Sequence, residues 1–260
     1  MANLSANAGG KYVVLAIVTP IYFWLSHYLA VFPHEYAHSL VASLSGFKDH
    51  FWQIQYGGAS FGNLLFLIHI DEHVNYVAMH AADKDWLIAL AAFAGPGIGN
   101  GLTYVVSLWC MTKPSIQSRK WLFYFIFWLN VNSIGNFIDY VPSRTFGTHG
   151  DMANLAYGLH ISPWWILLVL GTCVIAAVWD FYSNTLVKTY KVLGLSHKLA
   201  RAILLLIVTL ILFGFYGIAG LHNYGAVSHF ISILSLWAVI PIVIFNWPWR
   251  SWVINWGGRF

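Results

Sequence analysis

Between Arg201 and Arg250 the chain carries no aspartate, glutamate, lysine or arginine. Those 48 residues (202–249) are mostly apolar, and about 20 such residues cross a hydrocarbon core as one helix. They divide into two runs, 202–221 and 226–247. In lipid a backbone must pair its own polar groups, so long apolar runs of this kind predict helices. The rest of the chain continues the pattern. Only 8% of the 260 residues are charged, against about 25% in a soluble domain, and 59% are hydrophobic. This composition excludes a soluble globular protein, a disordered chain and a nucleic-acid binder. Four further apolar runs lie at 12–46, 86–111, 121–140 and 163–179. The expected fold is an all-α polytopic membrane protein with about six transmembrane helices, in one membrane domain over 1–260.

The first run is too long for one straight span, and Pro20 and Pro33 inside it are expected to bend or break it. The segment 48–85 does not read as a clean helix. Its first part is aromatic and aliphatic but interrupted by Gly57, Gly58 and Gly62, which predicts a hairpin or re-entrant element whose backbone must be covered by protein. Residues 71–85 are the most polar stretch and are expected in solvent. Trp164 and Trp165 after Pro163, and Trp247, Trp249, Trp252 and Trp256 near the end, mark membrane interfaces. Cys110 and Cys173 sit inside apolar runs and read as small hydrophobes. The opening MANLSANAGGK lacks the basic start of a cleavable signal, so the first run is expected to remain in the protein.

With six spans, one side carries Lys11, Lys113, Arg119, Lys120, Lys188, Lys191, Lys198, Arg201, Arg250 and Arg259. The other carries Lys48, Lys84 and Arg144. Ten basic residues against three predict that both termini are cytoplasmic.

The residues that promise chemistry are His34-Glu35-Tyr36-Ala37-His38, an H-E-x-x-H within the first run. On a helix, side chains four apart share one face, so both imidazoles can reach one ion, and the adjacent Glu35 can act as general base. Zinc held this way needs a third protein ligand. The candidates are Asp139, His149 and Asp151, which the span count puts on the same side as the motif. Asp139 could instead pair with Arg144, Asp151 could cap a helix starting near Met152, and His149 could be a plain loop histidine. His27, His50, His160, His197, His222 and His229 read as isolated interfacial or hydrogen-bonded histidines.

Three motifs together resemble the site-2 proteases, a family of intramembrane zinc metalloproteases. HEYAHSLVASLSG places small residues, Ala42 and Gly46, at the family's spacing. Ala94-Gly95-Pro96-Gly97-Ile98-Gly99-Asn100 resembles A-G-P-x-x-N with the asparagine one residue later. Asn136, Pro142 and Gly150-Asp151 resemble a stretched N-x-x-P…L-D-G, with eight residues (143–150) after the proline and Met152 in place of glycine. The resemblance covers about 22–160. It implies a zinc cofactor on His34, His38 and Asp151, with Glu35 catalytic and Asn100 and Asn136 in substrate-binding or structural roles. It further implies a metalloprotease core at 12–160, additional transmembrane helices at 161–260, and a membrane-embedded protein substrate whose peptide bond is hydrolysed in or near the bilayer. Gly57 and Gly58 suit a hairpin edge that pairs with an unwound substrate strand. The family commonly holds its zinc toward the cytosol, whereas the basic-residue count puts the motif on the opposite side.

Two other classes compete. A histidine-rich di-iron membrane oxidoreductase would use His34, His38, His69, His73 and His80, but this chain has no His-His pair and that class leaves Glu35 unexplained. A non-catalytic assembly subunit that retains a metal site would suit the 18% aromatic content and contact with membrane-protein partners.

Overall fold

A computed structural model describes residues 2–246, with side chains over 10–245, and shows an all-α, multi-pass membrane protein. In chain order the helices that position the site are α1 (Ala2–Leu44), α2 (Phe61–Phe66), α3 (Tyr76–Ala81), α4 (Asp85–Thr112), α5 (Lys120–Arg144), α6 (Asp151–Leu159), α7 (Pro163–Val192), α8 (Lys198–Leu221) and α9 (Gly225–Phe245). Among the described residues six, α1, α4, α5, α7, α8 and α9, are long and apolar enough to cross a membrane. Trp247, Trp249, Trp252, Trp256, Arg250 and Arg259 lie outside the described residues.

Pro20 and Pro33 do not break α1, which is one helix of 43 residues. A proline inside a helix deletes one backbone hydrogen bond, and a span tolerates the loss where neighbouring helices re-satisfy the freed carbonyl. The fourth span is longer than its apolar run, because a π-helical turn, Phe181–Thr185, carries Tyr182 and Thr185 inward and the helix continues to Val192.

Helix α5 is the most enclosed. Its first half buries Phe123, Tyr124, Phe127, Trp128 and Val131. Its second half is polar and ties to its neighbours side chain to side chain. Asn130 Nδ2 donates to Ser107 Oγ (2.9 Å), Ser133 Oγ to Thr103 Oγ1 (3.1 Å) and Asn132 Nδ2 to Ser26 Oγ (2.7 Å). In hydrocarbon such bonds hold helices together where apolar contact alone gives no driving force.

The 48–84 segment returns on itself. Gln55 and Asp71 exchange both backbone bonds at 2.9 Å, closing two arms around α2. The outgoing arm runs antiparallel to α1. Ser39 bonds the Phe51 carbonyl, Tyr36 the Tyr56 hydroxyl, and Trp24 and Tyr28 the Leu64 carbonyl. Ten residues of helix separate Trp24 from His34, so the tip reaches about 15 Å past the H-E-x-x-H toward the middle of the bundle. This is the re-entrant geometry expected from the glycines, and side chains satisfy part of its backbone. Buried Asn63 donates to the carbonyls of Tyr56 and Gly58 and accepts from the His69 amide, while His27 Nε2 reaches the Phe66 carbonyl at 3.0 Å. The histidine that reads as isolated in sequence is therefore a buried brace, and its Nδ1 meets Tyr216 at 2.9 Å. The polar 71–85 stretch is mostly exposed, except that Glu72 is half-buried and accepts from Tyr76 Oη at 2.9 Å.

The two ends of the bundle differ in charge. The α4–α5 and α7–α8 connections and the helix ends flanking them hold seven basic residues, Lys113, Arg119, Lys120, Lys188, Lys191, Lys198 and Arg201, and Lys11 Nζ donates to the Gly194 carbonyl at 2.6 Å there. The H-E-x-x-H lies toward the opposite end.

Candidate metal centre

Spacing and helix together put His34 and His38 on one face of α1, Nε2 to Nε2 3.0 Å apart. The third group arrives from 113 residues beyond His38. Asp151 opens α6 after Gly150, whose φ of +83° lets the chain turn sharply into the helix. Asp151 is the first helical residue and caps nothing; its Oδ2 points instead at the histidines, 3.1 Å from His34 Nε2 and 3.3 Å from His38 Nε2. Tetrahedral coordination with bonds of about 2.0–2.1 Å separates ligand atoms by about 3.3–3.4 Å, close to these three distances. Among the described residues this is the one group of three such side chains whose ligand atoms lie within 4.8 Å of one another.

Three further observations fit a cation. His38 Nδ1 can only donate to the Ala91 carbonyl (2.6 Å), so its neutral ring presents a lone pair at Nε2. Asp151 Oδ2 is enclosed yet finds no hydrogen-bond donor in spite of its two close imidazole neighbours. Acceptor atoms at such separations repel unless something positive lies among them. Finally, Gly95 leaves the space open, since a Cβ there would sit 2.0 Å from His38 Nε2 and 2.7 Å from His34 Cε1. That glycine belongs to the π-helical turn Ala94–Gly99, where Pro96 cannot make a regular helical bond.

Glu35 is buried beside this group but outside it, with Oε1 4.0 Å from His34 Nε2. Asp139 is elsewhere. Its oxygens take Arg144 Nε at 3.1 Å and Nη2 at 2.5 Å. It still acts on the site at one remove, because Arg144 lies 4.8 Å from the Tyr140 ring centre and Tyr140 stacks on His34 at 4.4 Å. His149 is exposed and packs on Tyr224. Asn100 is fully buried with Nδ2 3.0 Å from His34 Nδ1. Asn136 is not brought to the group; its amide donates to the Asn132 carbonyl one turn back. His69, His73 and His80 are exposed on the returning arm and on α3, and join no second group of three ligands among the described residues. Sequence reasoning missed Tyr140, for which no motif gives a signal, and gave Gly95 no role beyond its place in the A-G-P-x-x-N-like stretch.

These assignments separate by mutation. Asp151→Ala is expected to weaken metal binding by more than the roughly 10–100-fold that loss of an outer hydrogen-bond partner costs. Asp139→Ala is expected to keep the metal within that range but to lower stability by about 1–3 kcal/mol, less than for a fully enclosed pair because the Arg144 side chain is 30% exposed. Competition titration and thermal melting in detergent read the two effects. Equal metal affinity in Asp151→Ala and the parent would remove Asp151 from the set.

No protein-family model, curated protein or solved structure matches the chain.

Proposed function

We propose that this chain is an intramembrane zinc metalloendopeptidase of the kind its motifs resemble, the site-2 proteases. The observation that carries the reading is the buried Glu35 carboxylate lying next to, and not among, the three converging ligand atoms of His34, His38 and Asp151. A zinc ion on those three residues would lower the pKa of a water toward about 7 and polarise a peptide carbonyl. Glu35 takes a proton from the attacking water at its carboxylate and returns it to the departing amine nitrogen, so acid and base roles fall to one side chain. The substrate enters extended. A transmembrane helix must unwind for its peptide bond to be reached, and the outgoing arm of the re-entrant hairpin, with Gly57 and Gly58, offers backbone groups for a strand to pair with.

Depth follows from helix length. His34 is 23 residues from Lys11, about 35 Å along α1, against about 30 Å of hydrocarbon core. With Lys11 and the other basic residues at the cytoplasmic face, and both termini there, the reaction occurs near the opposite boundary, where the exposed 148–150 segment admits water. The test co-expresses a single-span membrane substrate with the parent chain and with His34→Ala, and measures cleavage and bound zinc in each, with a C-terminal reporter fusion to read orientation. Cleavage and one zinc per chain in the parent, both lost in His34→Ala, are expected. Cleavage that persists in a variant without metal would refute the reading.

A further inference from the structure

Asn100 closes the π-helical turn that carries Gly95, and its side chain is wholly enclosed. Nδ2 faces His34 Nδ1 at 3.0 Å, and Oδ1 at the other end of the amide has no hydrogen-bond partner. An enclosed amide with one idle end is costly, and a leucine of nearly the same shape would relieve that cost. The amide is therefore kept for its contact with the imidazole. A ring that offers its Nε2 lone pair to an ion carries its proton on Nδ1, and the partner of Nδ1 must then be an acceptor. His38 meets this requirement through the Ala91 carbonyl. His34 meets it only if the Asn100 amide turns half a revolution, so that Oδ1 replaces Nδ2.

We infer that Asn100 is a positioning residue for His34, accepting the Nδ1 proton through Oδ1 when His34 holds a metal. The inference rests on the proposed metal site and does not depend on what the site cleaves.

The test is zinc and cobalt(II) affinity, by competition titration of the full chain in detergent, for the parent, Asn100→Asp and Asn100→Leu. Asn100→Asp keeps an acceptor and is expected to bind as tightly as the parent or more so. Asn100→Leu is expected to fold at least as stably and to lose about 10–100-fold in affinity. Nitrogen-15 histidine spectra of the zinc-loaded parent, independent of how any variant folds, should show His34 protonated at Nδ1. Undiminished affinity in Asn100→Leu, a loss in folded Asn100→Asp equal to that in Asn100→Leu, or an unprotonated His34 Nδ1 in the loaded parent would each overturn the role of Asn100 and leave the metal site standing. A parent that binds neither metal would overturn both.

Discussion

Glu35→Gln is expected to retain the metal of the parent chain and to lower cleavage by on the order of 10²–10⁴-fold, the contribution of a well-placed acid–base group. Glutamine has the shape of glutamate but cannot accept a proton at neutral pH. Metal should survive because Glu35 is outside the ligand group, with its nearest oxygen 4.0 Å from His34 Nε2. Folding should survive because a neutral amide is easier to enclose within a span than an ionisable carboxyl, which costs about 2.5–3.5 kcal/mol on insertion scales. Cleavage and metal are measured on the same purified sample, with His34→Ala as the variant that loses both. Full turnover in Glu35→Gln would end the hydrolytic reading. A variant that cuts nothing but disturbs an assembly, from a parent that also cuts nothing, would favour the non-catalytic subunit.

Gly95→Ala should be as damaging to metal binding as loss of a ligand. The added methyl would lie 2.0 Å from His38 Nε2 and 2.6 Å from its Cε1, far inside contact distance. The imidazole must swing away or α4 must retreat from α1, and either displaces a ligand atom well beyond the tolerance of about 0.2 Å that a metal site allows. More than 100-fold weaker binding is expected, beyond the effect of an outer partner. Gly101→Ala, six residues further along the same helix, is the control. A Cβ there meets nothing within 4 Å, so metal affinity should stay and the helix should gain about 0.5–1 kcal/mol. Parent-like metal binding in Gly95→Ala would mean that the space beside His38 is not where an ion sits.

How much of this was legible in sequence depended on how local each feature is. The six spans follow from apolar runs because hydrocarbon forces each run to satisfy its own backbone, whatever its neighbours are. The pairing of His34 with His38 follows from helical periodicity, and the glycine-broken 48–70 stretch announced a chain reversal. Proline effects were less legible. Pro33 sits one residue before the motif in an unbroken helix, because tolerance of a missing bond depends on neighbouring helices rather than on the proline.

The third member of the candidate ligand group was decided by tertiary structure alone. Asp139 and Asp151 both lie near the end of the third span, and spacing to the motif favours neither. Arg144, five residues on and still helical, folds back onto Asp139, while Gly150 turns the chain so that α6 starts with its first carboxylate against two imidazoles. The same holds for Gly95 and Asn100. In sequence they belong to a small-residue stretch that lets helices approach. Only the packing of α4 on α1 assigns one the space beside the ligand atoms and the other the far nitrogen of His34. Local periodicity fixes which side chains share a helix face, but a site shared by α1, α4 and α6 depends on how their faces meet, and the contacts that set this are spread over all three helices.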